Sequence, residues 1–233
     1  MGHTIKKRAW RSLDITNQSF TFAPSNNLNS IVMKFPLNKK LVLLLIAGLS
    51  FATTQAQIGF GIKAGANFSN FTGTDAQQGF STLVGFNGGV LVKLHLGGGW
   101  SIQPEALYSG QGAKFTDSSG NSGNLHNAYL NIPVLLCYKL PFGLSFQAGP
   151  QFGLLMSANV TSQGVSVDTK SLYKSSDVSI IMGAAFKTPF KLGFDARYNL
   201  GVTNIEKADA STGAGTLKNG IFQLGVFYML AGK

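Results

Sequence analysis

Sulfur, charge and histidine are all scarce in this chain. One cysteine, Cys137, stands in 233 residues, which excludes an intramolecular disulfide framework. A secreted form must then draw its order from elsewhere, and a closed hydrogen-bonded ladder can supply it. Charged residues make up 12%, about half the usual share, which is little for a soluble surface. Three histidines and nine acidic residues leave few groups for acid–base or metal chemistry. No apolar run reaches the ~20 residues of a spanning helix.

The formal charge of +10 invites a nucleic-acid reading, but its distribution argues against one. Residues 1–56 carry Lys6, Lys7, Arg8, Arg11, Lys34, Lys39 and Lys40 against Asp14 alone. From Gln57 onward 12 basic residues face 8 acidic ones. A nucleic-acid surface needs a basic stripe clustered in the folded part, and none is present; no nucleic-acid partner is expected. What the chain has in plenty is apolar residues, 44%, and 29 glycines against an average near ~7%. Apolar, weakly charged and glycine-rich is an unusual mixture for a soluble enzyme and an ordinary one for a membrane barrel.

Lys39-Lys40, the apolar run Leu41–Phe51 and the small residues of Ala52-Thr53-Thr54-Gln55-Ala56 have the order of a secretory signal peptide. Thr54 and Ala56 fit positions −3 and −1, so cleavage is expected between Ala56 and Gln57. No cysteine follows the apolar run, which excludes a lipoprotein. The expected organisation is a polar extension over 1–32, a signal peptide over 33–56 and one folded domain over 57–233. Translation is expected to start at Met33 rather than Met1, because Met33-Lys34 opens a signal of ordinary length. Peptides from Asp14–Ser30 in the unprocessed precursor, read by mass spectrometry, would contradict that start.

Between Gln57 and Leu230 lie eight alternating segments. Their links are short at Gly97–Gly99, Pro141–Gly143 and Thr188–Pro189, and long at Ser69–Leu83, Gly110–Ala128, Ser157–Ser176 and Thr203–Asn219. Tight periplasmic turns alternating with long outer loops mark an up-and-down barrel of the outer membrane. Side chains alternate faces along a strand. In the seventh segment Leu192, Phe194, Ala196, Tyr198 and Leu200 oppose Gly193, Asp195, Arg197, Asn199 and Gly201. Lys63, Lys93, Glu105, Lys139, Asp195 and Arg197 all fall on the polar face, with glycines and small polar residues. The other face is apolar, with aromatics near its ends. That distribution puts the charges in a narrow lumen and the apolar face against lipid, the reverse of a soluble barrel. Charges in such a lumen are costly unless paired. They are expected to form a structural network in which Glu105 engages Arg197 or Asp195. Cys137 should fill space beside it. Pro104 and Pro150 interrupt the pattern, and bulges are expected there.

Several segments together resemble the PorT-like "porin family" outer-membrane β-barrel proteins of Bacteroidetes-type bacteria. They are Gly61-Ile62-Lys63-Ala64-Gly65-Ala66-Asn67-Phe68-Ser69, Ile102-Gln103-Pro104-Glu105-Ala106-Leu107-Tyr108-Ser109, Tyr129-Leu130-Asn131-Ile132-Pro133-Val134-Leu135 and Ala148-Gly149-Pro150. The resemblance covers about 57–230. It implies an all-β fold, an eight-stranded antiparallel up-and-down transmembrane β-barrel of the small OmpX and OmpA type. It also implies outer-membrane lipids and the barrel assembly machinery as partners. Many such barrels end in an aromatic residue; this chain ends Met229-Leu230-Ala231-Gly232-Lys233, so Phe227 or Tyr228 would take that place.

Catalytic material is thin, and no catalytic residue, metal or cofactor is expected. A rim esterase or deacylase would want a histidine–serine pair, for which only His126 with Ser122 or Ser119 is available. Asp75, Asp117, Asp168, Glu206 and Asp209 are scattered singly, and Asp117-Ser118-Ser119-Gly120-Asn121 lacks the ligand spacing of a calcium loop. The expected function is a non-enzymatic structural or interaction role carried by the four outer links, with no ligand named by the residues. Small-solute transport, a secretion-accessory role and modification of outer-leaflet lipid are the alternatives.

Overall fold

The computed structural model describes residues 58–77, 80–116, 122–206 and 216–232. The signal segment, Ser119, the Asp117–Asn121 stretch and Asp209 lie outside the described residues. Strands β1 (Ile58–Thr72), β2 (Phe80–Gly97), β3 (Trp100–Thr116), β4 (Ser122–Lys139) and β5 (Leu144–Ser162) run in antiparallel succession. A short β6 (Val165–Asp168) folds back on β5, and β7 (Ser176–Lys187), β8 (Leu192–Gly201) and β9 (Lys218–Ala231) complete the chain. β5 also pairs with β7, β7 with β8, β8 with β9, and β9 with β1. Omitting β6, eight strands form a closed ring with no free edge at membrane depth, as the expected fold requires.

Alternation sets the two sides of the wall. On β8, Gly193, Asp195, Arg197, Asn199 and Gly201 are buried while Phe194, Tyr198 and Leu200 are exposed. The same split runs round the ring, so the outer wall carries Phe60, Val90, Leu136, Phe146, Met182 and Leu224. Aromatic pairs stand on this wall, Trp100 against Tyr138 at 4.7 Å and Phe86 against Tyr108 at 5.6 Å. The charged-inside, apolar-outside assignment therefore stands.

The turns at the short end are tight. Gly98 and Gly99 both take positive φ, 59° and 86°, the two-residue geometry that matches strand twist and that glycine alone adopts without strain. Phe142 (φ 67°) and Lys191 (φ 68°) take left-handed backbone without that freedom, at about 1–2 kcal/mol each. The third turn spans 188–191, two residues longer than the Thr188–Pro189 expected, because Thr188 N–H closes it on the Leu192 carbonyl at 2.8 Å.

The long links differ more from expectation. β3 and β4 stay paired to Thr116 and Ser122, and β5 continues to Ser162 before turning into β6. Strands β2, β4 and β5 reach 18, 18 and 19 residues, where about 9–11 cross a bilayer. The excess projects at the outer end, and there the alternation changes phase. Phe71, Ala113, Phe115, Leu125 and Leu155 point inward and are buried, while Lys114, Thr116 and His126 point outward into water. Outside lipid the barrel is built like a soluble one. A search for apolar-outside, polar-inside strands therefore ends at the interface and takes the rest for loop.

Pro104 and Pro150 do not make bulges. The β2–β3 ladder keeps one register from Leu91↔Glu105 to Leu94↔Ile102, on either side of Pro104. Pro133 sits likewise between Pro104↔Val134 and Leu107↔Asn131, and Pro150 between Pro133↔Gln151 and Leu136↔Ala148. A proline removes one donor, and the intact rungs on both sides hold the register, so a rung is lost without an added residue. The register shifts fall elsewhere, at Phe60/Gly61, Thr82/Asn87, His95/Gly97 and Ala128/Tyr129.

Three gaps on successive ladders predict a locally softer wall. In hydrogen exchange of the reconstituted barrel, amides beside Pro104, Pro133 and Pro150 should exchange faster than those of the unbroken β8–β9 ladder. Equal protection in the two regions would contradict this.

Candidate functional site

Any internal chemistry must occur in the lumen, and its inner face comes in layers. Lys63 from β1, Glu105 from β3 and Asp195 and Arg197 from β8 meet in the middle. Arg197 donates to both Glu105 oxygens, Nη1 to Oε2 at 2.8 Å and Nη2 to Oε1 at 2.7 Å. Lys63 Nζ donates to Asp195 Oδ2 at 2.5 Å, and that oxygen lies 3.3 Å from Arg197 Nη2. Gln103 donates to Glu105 Oε1 at 2.7 Å, and Arg197 Nη2 donates to Gln147 Oε1 at 3.1 Å. All four charged side chains are at most 1% exposed. Two cations meet two anions, so the quartet is neutral. Glu105 engages Arg197, and Asp195 engages both Lys63 and Arg197.

Glycines make the room. A Cβ on Gly225 would meet Asp195 Oδ1 at 2.6 Å and Lys63 Cε at 2.9 Å, and one on Gly193 would run into the Phe227 ring. Long inward side chains thus lie across glycines on the neighbouring strand. Phe227 is turned inward in this way, packed with Leu91, Ala185 and Met229 on the short-turn side of the quartet. Of the two aromatic residues near the end of the chain, only Tyr228 faces lipid. Cys137 lies buried between Leu135 and Ile181 as a small apolar filler.

Lys93 and Lys139 do not join the quartet. Lys139 continues the inward parity of Leu135 and Cys137, but it is the last residue of β4 and is exposed; Lys93 is half-buried. Both stand toward the short-turn mouth, where the exposed Lys139 keeps its ammonium in water.

Toward the outer end an amide cluster centres on Asn67. Its Oδ1 accepts from Asn87 at 2.7 Å and from Gln223 at 3.0 Å, and its Nδ2 donates to Ser109 Oγ at 2.9 Å. Above it an apolar plug closes the barrel, with strand residues Phe71, Phe115, Leu125, Tyr129 and Leu155 joined by Tyr173, Ile205 and Leu217 from the outer connections. The connections are tied down by backbone bonds, Lys174 N–H to Ile205 O at 2.8 Å and Ile205 N–H to Leu217 O at 2.9 Å. Asp177 at the rim accepts from Thr203 at 2.6 Å and Asn219 at 3.0 Å. Burial, with the Glu206 charge adding to it, pushes the Tyr173 hydroxyl up to about 12. The plug is hard to read from residue order, because Phe71, Phe115 and Leu125, like its members from the connections, sit in segments that read as loop.

The one catalytic pairing that the residues allowed is not assembled within the described part. His126 belongs to β4 itself, paired opposite Gly112 and Asn159. Ser122 lies four residues along the same strand, roughly 13 Å away at about 3.4 Å per residue. Its Oγ bonds to Thr116 Oγ1 at 3.2 Å. Among the described residues no cluster of His, Cys, Asp and Glu converges on a metal position. Outside the plug, a cleft of about 570 Å³ lies between Leu155, Asp168, Lys170, Ser171, Tyr173 and Ser175.

Residues 50–207 match the family model described as outer membrane protein beta-barrel domain. No curated protein sequence matches the chain. Similar solved structures include Neisserial surface protein A, 14% identical, covering 72% of this chain and 96% of that one at a TM-score of 0.46. Ail, the attachment invasion locus protein of Yersinia pestis, is 17% identical over 76% and 100% of the two chains, with a TM-score of 0.43. OprG from Pseudomonas aeruginosa is 11% identical over 77% and 99%, with a TM-score of 0.41.

Removing one member of the quartet strands a buried charge. Arg197→Met should destabilise the barrel by about 3–5 kcal/mol, read from urea unfolding in lipid vesicles by the gel mobility of the folded form. R197M combined with E105L leaves the neutral Lys63–Asp195 pair and should recover part of that loss. A double variant no better than R197M would count against mutual neutralisation as the reason the quartet exists.

Proposed function

The chain belongs to the outer membrane beta-barrel domain family, and on that premise we propose that it is a non-conducting, non-enzymatic barrel whose interactions take place at its outer end. The observation that carries this reading is the filled lumen. The apolar layer at Phe227 and Met229, the neutral quartet, the Asn67 amides and the plug at Tyr173 follow one another along the axis. An eight-stranded barrel has an interior just wide enough for side chains, and here they occupy it.

Meanwhile the strands continue well past the membrane and carry the described outer connections. The β5–β6 hairpin exposes Val165 and Val167, and the cleft at Tyr173 opens beside it. A rim of this kind, held on a rigid wall, suits recognition of an outside partner. Its polar composition argues for contact rather than catalysis.

The finer placement is also ours. The motif segments containing Pro104, Pro133 and Pro150 lie on neighbouring strands around the three ladder gaps, which supports placing the chain among the PorT-like barrels of Bacteroidetes-type bacteria. Export by a signal peptide cleaved between Ala56 and Gln57 fits that placement. The lipid-facing Tyr228 is then the residue offered to the barrel assembly machinery.

Two measurements test the reading. Purified protein in planar bilayers should show no conductance steps of general-porin size. Protease added to intact cells should cut only in the β3–β4, β5–β6 and β8–β9 connections or between β1 and β2. Porin-size conductance, or a cut at Gly98-Gly99, would overturn it.

A further inference from the structure

The outer rim and the lumen leave one group of charges unused, at the opposite end of the barrel. Lys187 at the end of β7 lies within electrostatic reach of Lys93, Lys139 and Lys191. No ion pair engages any of these four among the described residues. Of the acids placed there, Glu105 and Asp195 are spent in the quartet, and Asp168, Asp177 and Glu206 belong to the outer end. Among the described residues the short-turn mouth therefore gathers positive charge with no acidic partner.

Geometry gives that field a shape. Leu144 pairs with Phe186, so the turn before β5 and the turn after β7 are neighbours. They touch closely, since a Cβ on Gly143 would run into the Lys187 carbonyl. Between them lies a cavity of about 370 Å³ bounded by Lys139, Phe142, Gly143, Lys187, Thr188 and Pro189. At the tips of the same two turns, Phe142 and Phe190 are 95% and 83% exposed. Two bare phenyl rings at a tight turn are a poor fit to water.

The height of the site relative to lipid is set by the girdle. Trp100 and Tyr138 pack at a tilt on the lipid-facing wall, where such residues mark the headgroup level. Lys139 follows Tyr138 directly, and its N–H bonds to the Gly99 carbonyl beside Trp100 at 2.8 Å. Ammonium groups at headgroup height, apolar wall above and phenyl rings at the turns match a molecule with a phosphate and acyl chains. A free phosphate would leave the rings without a role.

We propose that the cavity between these two turns is a binding site for an anionic phospholipid of the periplasmic leaflet, its phosphate held by the lining lysines Lys139 and Lys187 in the field that Lys191 adds to, and its chains against the outer wall. The assignment to that leaflet rests on the short turns being periplasmic, as in barrels of this family. The binding chemistry does not, so the test is independent of which way the barrel faces and of what its outer rim does.

Trp100 serves as a local reporter in the full chain carrying Trp10→Phe. That protein is reconstituted in phosphatidylcholine vesicles containing a minority of phosphatidylglycerol, with one or the other lipid brominated. Brominated phosphatidylglycerol should quench Trp100 as though enriched at least about fivefold over its bulk share, the floor set by a single engaged lysine. The exposed-site variant K139Q/K187Q/K191Q should return that quenching to the bulk share. Quenching by brominated phosphatidylcholine should persist in it, which certifies insertion. F142S/F190S should lower the enrichment as well. Bulk-share quenching in the parent protein would assign the lysines to a soluble acidic partner and overturn the proposal. So would loss of the excess on adding inorganic phosphate with F142S/F190S unaltered, which would mark a free-anion site.

Discussion

Closure of the ladder governs everything else in this molecule. A strand in lipid has no water to satisfy its backbone, so the sheet must meet itself. Eight strands meet around a space that only side chains can fill. Whatever points inward is then removed from solvent. A charge placed there has to find its opposite, and a bulky residue has to find a glycine across from it. The Lys63–Asp195–Arg197–Glu105 quartet, and Phe227 lying over Gly193, are two consequences of that one geometric fact.

The quartet divides the lumen by polarity as well as by space. On its short-turn side the packing is apolar, through Leu91 and Met229, and toward the outside come the amides around Asn67. Above those, the environment of the outer wall changes from lipid to water, and the inward face becomes apolar again. The outer plug is a small soluble core standing on a membrane barrel. Its members from the connections, Tyr173, Ile205 and Leu217, bind the outer connections to the wall. The two ends of the barrel consequently differ in character: apolar packing that closes the outer end, and a basic, aromatic mouth at the other.

Much of this was legible from residue order, and what was missed was missed for definite reasons. Lys63, Glu105, Asp195 and Arg197 were readable as lumen residues because their parity matches glycines and small polar side chains. Lys93 and Lys139 share that parity, but parity carries no depth, and both lie at the mouth. From residue order the outer strand ends read as loop, because the alternation there keeps its period and inverts its phase. Pro104 and Pro150 suggest bulges because proline removes a donor, yet a missing donor does not shift register when the flanking rungs hold it. His126 belongs to a strand, which separates it from Ser122 by strand spacing.

By itself, then, the sequence determined the period-two pattern, the number of strands, the polarity of the two faces and the tight turns at one end. These are local or near-local properties, written into neighbouring residues. The tertiary structure decided which charges neutralise one another, since Lys63 and Asp195 are 132 residues apart and Arg197 and Glu105 are 92. It also decided how far the strands run beyond the membrane and which loop residues close the outer end. Those depend on register and on the change from lipid to water along the barrel axis, and neither is carried by any single segment.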